Sequence, residues 1–112
     1  SYVLPSRYEI QGITPLEALL NETPTITTDR CGSTTQLVNA DIARAVTFGD
    51  VAGLADCILD MINNPDAARA QAKRGRDYVI RNFNWDTLVD QWIEVYRTII
   101  AEAATRRRSD SA

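Results

Sequence analysis

The sequence has no histidine and only two cysteines, Cys31 and Cys57. Zinc sites are built mainly from histidine and cysteine at short, regular spacings, and these two cysteines stand far apart. The composition therefore argues against a zinc site and against histidine as a general base. We expect both thiols to be reduced, as is usual in the cytosol.

Long apolar runs and an excess of positive charge are also missing. No apolar run approaches the ~18 residues that a membrane-spanning helix needs. The formal net charge is −3, whereas proteins that bind nucleic acid usually present a strongly basic surface. We expect neither a transmembrane segment nor nucleic-acid binding.

What is present is typical of one soluble α/β domain of 112 residues. Apolar or β-branched runs at 1–4, 25–28 and 43–48 predict three strands, with helices between them. Strands joined through helices pair in parallel, so the pattern predicts half of a doubly wound, Rossmann-like sheet of three layers. Ligands collect at the carboxyl ends of such strands, which here means loops 6–13 and 29–34.

The second half of the chain has a helical pattern. Asp50 and Asn84 are expected to cap helices, and Pro65 to open a third that ends near Asn82. On the last helix, apolar residues from Trp85 to Ile99 form one stripe, which we expect to be core. We assign 1–105 to the domain and 106–112 to a disordered polar tail.

The stretch from Pro5 to Leu20 carries most of the chemical information. It predicts a strand, a loop with Gly12 and then a helix, an order that offers free backbone amides to an anion. Glu9 and Glu17 flank this loop. Thr14 to Glu17 also reads T-P-L-E, a capping box in which Glu17 bonds back to the Thr14 amide, and that structural role stays open.

The run VLPSRYEIQGITPLEALLNETPTITTD resembles the donor-site segment of the retaining glycosyltransferases with the GT-B fold. Their signature is two glutamates separated by seven residues, and Glu9 and Glu17 have this spacing. The runs TDRCG, GDVAGLAD and NFNWD follow in the family's order. The resemblance extends from residue 1 to about residue 100 and implies part of a GT-B donor domain.

The resemblance implies roles for individual residues. Glu9, the catalytic position, would hold hydroxyls of the transferred sugar, and Glu17 those of the donor ribose. Backbone amides that face the sugar and the diphosphate would come from Gln11, Gly12, Ile13 and Thr14. A second wall of the pocket would come from Cys31, Gly32 and Ser33, although the same segment is also compatible with a plain turn.

The family pattern further implies the reaction and its partners. The donor substrate would be a nucleoside-diphosphate sugar, with no cofactor and no metal, because amides, a helix terminus and basic side chains stabilise the leaving diphosphate in the family. The family segment that contributes those basic residues has no counterpart in this sequence. Many relatives have a second glycine where this chain has Cys31.

The resemblance begins at what would be the fourth strand of the donor domain. We therefore expect a carboxyl-terminal fragment that is inactive without its amino-terminal acceptor domain. In the family the last helix lies against that other domain, so the resemblance implies that some of its aromatic residues are exposed in a fragment. The first strand would leave an open sheet edge, which predicts a homodimer or strand exchange. A cytoplasmic location is expected, with peripheral membrane association open for the full-length protein.

Two other functions remain open at this point. One is a non-catalytic module that binds nucleotides or phosphosugars. The other is a structural fragment that docks on a partner through its carboxyl-terminal helix.

Overall fold

The computed structural model describes the backbone of residues 1–109 and the side chains of residues 1–103, 105 and 106. Three strands and five helices follow one another along this part of the chain: β1 (Tyr2–Leu4), α1 (Ile13–Leu20), β2 (Thr25–Thr28), α2 (Thr34–Asn39), β3 (Arg44–Val46), α3 (Val51–Asn63), α4 (Pro65–Asn82) and α5 (Trp85–Ser109). The chain divides into two compact units, Ser1–Ile80 and a second from Arg81 onward.

The three strands form one parallel sheet in the order β1-β2-β3, which confirms the predicted α/β architecture. Its central strand, β2, is buried along its whole length. Alternate residues of a strand face opposite sides of a sheet. On one side Ile26 packs with Met61 of α3 and Ala68 of α4, and on the other Thr27 bonds to Thr34 of α2. Helices therefore cover both faces of β2.

Local capping signals in the second half of the chain are confirmed. The Asp50 carboxylate accepts a hydrogen bond from the Gly53 amide at 2.8 Å, at the start of α3. The Asn84 side chain accepts one from the Thr87 amide, also at 2.8 Å, at the start of α5. Both bonds satisfy amides that have no acceptor inside their own helix.

The predicted start of α1 is wrong by two residues. The helix begins at Ile13, and its N-cap is Gly12, which has a left-handed backbone and no side-chain cap. Thr14 therefore lies inside the helix, where its hydroxyl accepts a hydrogen bond from the Tyr2 phenol at 2.6 Å. The capping box between Thr14 and Glu17 does not form.

Helix α5 departs from the predicted core position. Its apolar stripe is largely exposed, with Trp85 at 80%, Trp92 at 60% and Tyr96 at 61% exposure. The prediction that this stripe belongs to the core is wrong, because these rings are exposed. The backbone of residues 106–109 belongs to α5. Residues 110–112 of the predicted tail lie outside the described residues, and the boundary at 105 stays a prediction.

Within residues 1–109, no helix combines the length and the apolar character that crossing a bilayer requires.

Candidate functional site

The loops that follow β1 and β2 lie side by side at the carboxyl edge of the sheet, as the topology predicted. Their contact is a short parallel bridge between Glu9 and Cys31. The Glu9 amide donates to the Arg30 carbonyl at 3.2 Å, and the Gly32 amide donates to the Glu9 carbonyl at 2.9 Å. The backbone of the first loop is thereby fixed to that of the second.

Two glycines make this close approach possible. A Cβ atom at Gly32 would stand 1.8 Å from the Ile10 carbonyl oxygen, so only glycine fits there without moving the backbone. Gly12 has φ +68°, in the left-handed region, and a Cβ there would lie 2.6 Å from the Cys31 sulfur. Both positions need glycine because the two loops pack directly against each other.

The Glu9 carboxylate turns back into its own loop. It is half-buried, and its Oε1 accepts a hydrogen bond from the Gly12 amide at 3.3 Å. This amide is one of those that the resemblance assigned to the donor. Glu9 and Gly12 are therefore brought together, with the carboxylate holding the turn that leads into α1.

The first turn of α1 presents further donors. Because α1 begins at Ile13, the amides of Ile13 and Thr14 have no acceptor within the helix. Both residues and the adjacent Gln11 are exposed. The positive end of the helix dipole adds to these amides, so this turn can accept a negatively charged group.

Glu17 lies one turn further along α1 and is exposed. It borders an open surface hollow together with Tyr2, Thr14, Asn21 and residues around them. No hydrogen bond or ion pair to the described residues engages its carboxylate, which leaves it available as an acceptor. Glu17 and Glu9 have different surroundings: Glu9 is packed between the loops, whereas Glu17 lies on the outer surface of α1.

The side chains of the second loop support the first. Cys31 and Ser33 are buried, and the Cys31 sulfur lies 3.2 Å from the Ser33 hydroxyl. The same thiol donates to the Gln11 carbonyl across the loop contact at 3.7 Å. Both side chains thus pack against the buried side of the Gln11–Gly12 backbone.

Two buried threonines of β2, Thr27 and Thr28, were not singled out from the sequence. The Thr34 hydroxyl donates to the Thr28 carbonyl at 2.6 Å and pairs with the Thr27 hydroxyl at 3.0 Å. The Thr28 hydroxyl in turn donates to the Ser6 carbonyl at 2.6 Å. The run Thr25-Ile26-Thr27-Thr28 carried a signal for them, because a polar residue in a buried central strand requires a partner.

The acidic and cysteine side chains of the described residues do not gather at one point. Within residues 1–109 no group of three or more such side chains is placed to hold a metal ion.

Comparison with known proteins identifies close similarity over most of the chain. Residues 1–78 match the family model described as "Glycosyl transferases group 1". A glycogen synthase from Mycobacterium tuberculosis is 33% identical over 94 residues, which cover 84% of this chain and 23% of that protein. An alpha-maltose-1-phosphate synthase from Mycolicibacterium smegmatis is 32% identical over 108 residues, covering 89% and 27%.

A solved structure is similar to this chain both in fold and in sequence. The sucrose-phosphate synthase from Thermosynechococcus elongatus superposes with a TM-score of 0.79 at 31% identity, over 89% of this chain and 25% of that chain. The chain spans about a quarter of the length of the relatives it matches.

Proposed function

Since the chain belongs to the glycosyl transferases group 1 family, we propose that it forms the donor-binding part of a retaining glycosyltransferase. The whole enzyme would transfer a sugar from a nucleoside-diphosphate sugar to an acceptor. The partner that completes it is an acceptor-binding domain at the amino-terminal side. Without that domain the chain is expected to bind the donor and transfer nothing.

The observation that carries this proposal is the turn into α1. Ile13 and Thr14 are exposed residues whose amides have no acceptor within α1 and form the positive end of the helix, and the Glu17 carboxylate lies one turn further along. Amides suit a diphosphate, and a carboxylate suits neighbouring sugar hydroxyls. One turn of chain thus offers both kinds of group that a sugar nucleotide needs.

The proposed roles follow the position of each group. Glu17 accepts hydrogen bonds from the ribose hydroxyls, since its carboxylate has no competing partner. Glu9 contacts hydroxyls of the transferred sugar and is the catalytic residue of this segment. The diphosphate and sugar lie against the amides of Gln11, Gly12, Ile13 and Thr14.

The chemistry of these groups is electrostatic. As the bond between sugar and phosphate breaks, negative charge grows on the leaving diphosphate. Fixed amides and the helix dipole stabilise that charge without reorganising during the reaction. We propose that no metal is required for this step and that the sugar keeps its anomeric configuration.

The loop after β2 completes the pocket. Gly32 brings the second loop against the Ile10 carbonyl, so this loop forms the second wall, with Cys31 and Ser33 behind the contact. We further propose that the enzyme works in the cytoplasm, where nucleotide sugars are available.

A matched pair of substitutions tests the proposal. The chain is titrated by calorimetry with UDP, ADP and GDP and with UDP-glucose, ADP-glucose and GDP-mannose. We expect one nucleotide series to bind, and Glu17→Gln to weaken it about tenfold, since a charged hydrogen bond is lost. Glu22→Gln is the control, because Glu22 lies just beyond the other end of α1 and its carboxylate makes only an exposed ion pair with Arg76.

Three results would contradict the proposal. The first is the absence of saturable binding to any of the six compounds. The second is equal affinity for the Glu17→Gln and Glu22→Gln variants. The third, from a titration with inorganic phosphate, is an affinity equal to that of a nucleotide, which would reduce the site to a simple anion site.

A further inference from the structure

The Cys31 side chain lies behind the proposed donor loop and not on its outer face. Its exposure is 4%, and its thiol donates to the Gln11 carbonyl at 3.7 Å. Gln11 and Gly12 supply two of the amides assigned to the donor, and the Gly12 amide donates to Glu9 Oε1 at 3.3 Å. A group in this place acts on the ligand only through the backbone that it supports.

The support behind Cys31 is continuous with the central strand. The thiol lies 3.2 Å from the Ser33 hydroxyl, and the next residue, Thr34, bonds to Thr27 and Thr28 of β2. All of these side chains are buried. Because β2 is held on both sides within the sheet, the position of Cys31 is fixed by the most constrained part of the fold.

The Cys31 thiol packs tightly against the loop at Gly12. A Cβ atom added to Gly12 would lie 2.6 Å from the Cys31 sulfur and 3.4 Å from the Ser33 hydroxyl. A smaller side chain at 31 leaves a void beneath Gly12, and a larger one displaces the turn. The volume at position 31 therefore determines where the Gln11–Gly12 backbone lies.

We propose that Cys31 is a positioning residue that sets the placement of the Gln11 and Gly12 amides toward the donor diphosphate. This inference rests on the proposed function for the role of those amides. It assigns Cys31 a task distinct from lining the pocket, since the buried thiol contacts the Gln11 carbonyl and the Ser33 hydroxyl and is not at the surface.

The test has one part without ligand and one part with it. Amide hydrogen exchange at Gly12, whose amide is bonded to Glu9, is measured by NMR in wild type, Cys31→Ala, Cys31→Ser and Cys57→Ala. We expect exchange in Cys31→Ala to be about tenfold faster at this amide, while amides of β2 keep their protection. Cys31→Ser keeps a donor and most of the side-chain volume at this place, and should restore exchange to within about twofold.

The second part measures affinity. For the nucleoside diphosphate among UDP, ADP and GDP that binds wild type, Cys31→Ala should raise Kd about fivefold, and Cys31→Ser should recover most of this loss. Cys57→Ala, in the other cysteine of the chain, should match wild type in both measurements.

The two parts separate the two hypotheses. If wild type binds none of the three diphosphates, the proposed function fails, while exchange at the Gly12 amide still decides the role of Cys31. Unchanged exchange in Cys31→Ala would overturn the inference. Faster exchange spread evenly over β2 and the loop would also overturn it, because Cys31 would then be a general core residue.

Discussion

The Glu9 carboxylate accepts a hydrogen bond from the Gly12 amide three residues later, at 3.3 Å. Glu9, which is proposed to contact the sugar, thus accepts a hydrogen bond from an amide that is proposed to contact the diphosphate. For a bound diphosphate to accept this bond, the bond between Gly12 and Glu9 must break. The negative charge of Glu9 also repels the diphosphate. Release of Glu9 from Gly12 would leave its oxygens free for sugar hydroxyls.

This relationship predicts that the two glutamates respond in opposite directions. In Glu9→Gln the negative charge beside the diphosphate is gone, so the affinity for the free nucleoside diphosphate should rise, by about threefold. The affinity for the matching nucleotide sugar should not rise, because a sugar contact is lost as the repulsion is relieved. Calorimetric titration with both compounds measures the difference, and a fall in diphosphate affinity would contradict the proposed place of Glu9.

Gly12 and Gly49 offer a matched test of how tightly the loops pack. Both have a left-handed backbone, with φ +68° and +89°, but an added Cβ meets the Cys31 sulfur at Gly12 and nothing within 4 Å at Gly49. Gly49→Ala should cost only the backbone strain, about 1 kcal/mol of unfolding free energy, and Gly12→Ala about 2–3 kcal/mol. Urea denaturation checks this, and equal losses would show that the Gly12 loop has room to move.

The sequence predicted best where a signal is local. Asp50 and Asn84 were identified as helix caps because each lies directly before an apolar helical pattern, and both make the expected bond. The three parallel strands follow from the alternation of strand and helix. The two site loops follow in turn from the carboxyl ends of β1 and β2.

The differences arise where a distant residue decides the outcome. Thr14 is a residue type that often caps helices, but α1 begins one residue before it, at Ile13. The Thr14 hydroxyl instead accepts a hydrogen bond from the Tyr2 phenol, twelve residues earlier in the chain. The apolar stripe of α5 repeats with the helical period that is typical of a core helix. This pattern does not identify which surface, if any, packs against it. Likewise, no spacing rule connects Cys31 to Gln11, because their contact depends on the packing of two loops.

The pair formed by Arg44 of β3 and Asp60 of α3 predicts a pH dependence of stability. Hydrogen bonds from Arg44 and then Asn64 hold the pKa of Asp60 below its ordinary value. A carboxyl group whose pKa is lower in the folded chain contributes stability above the unfolded value, about 3.9, and loses it as the pH falls through the folded value. Asp60→Asn should therefore be less stable than wild type at pH 7 and approach it near pH 2.

The control for this prediction lies on the same helix. Asp56 is exposed on α3, so Asp56→Asn removes a carboxylate of similar position without breaking the contact to Arg44. Urea midpoints from pH 7 to pH 2 compare the three proteins. A gap between Asp60→Asn and wild type that stays constant over this range would show that the loss is not electrostatic.

The exposed stripe of α5 predicts the fluorescence of the chain. With Trp85 at 80% and Trp92 at 60% exposure, both indoles should emit at long wavelength and be quenched readily by acrylamide. Single Trp→Phe variants assign the signal to each ring. Quenching that becomes weaker as the protein concentration rises would reveal a second copy against α5, and strong protection at all concentrations would contradict the exposure of these rings.

The free edge of β1 leads to the last prediction, that isolated chains associate along this strand. The Tyr2 amide donates to the Pro24 carbonyl, on the β2 side, so alternation turns the Val3 amide toward the uncovered edge. Val3→Pro removes that donor, which an edge strand tolerates, together with part of the packing of Val3 against the Ile26 core cluster. Leu4→Pro, whose amide faces β2, removes a bond within the sheet. By sedimentation, wild type should dimerise with rising concentration and Val3→Pro should stay monomeric and folded, while Leu4→Pro should lose stability. A wild-type chain that remains monomeric at all concentrations would rule out association through β1.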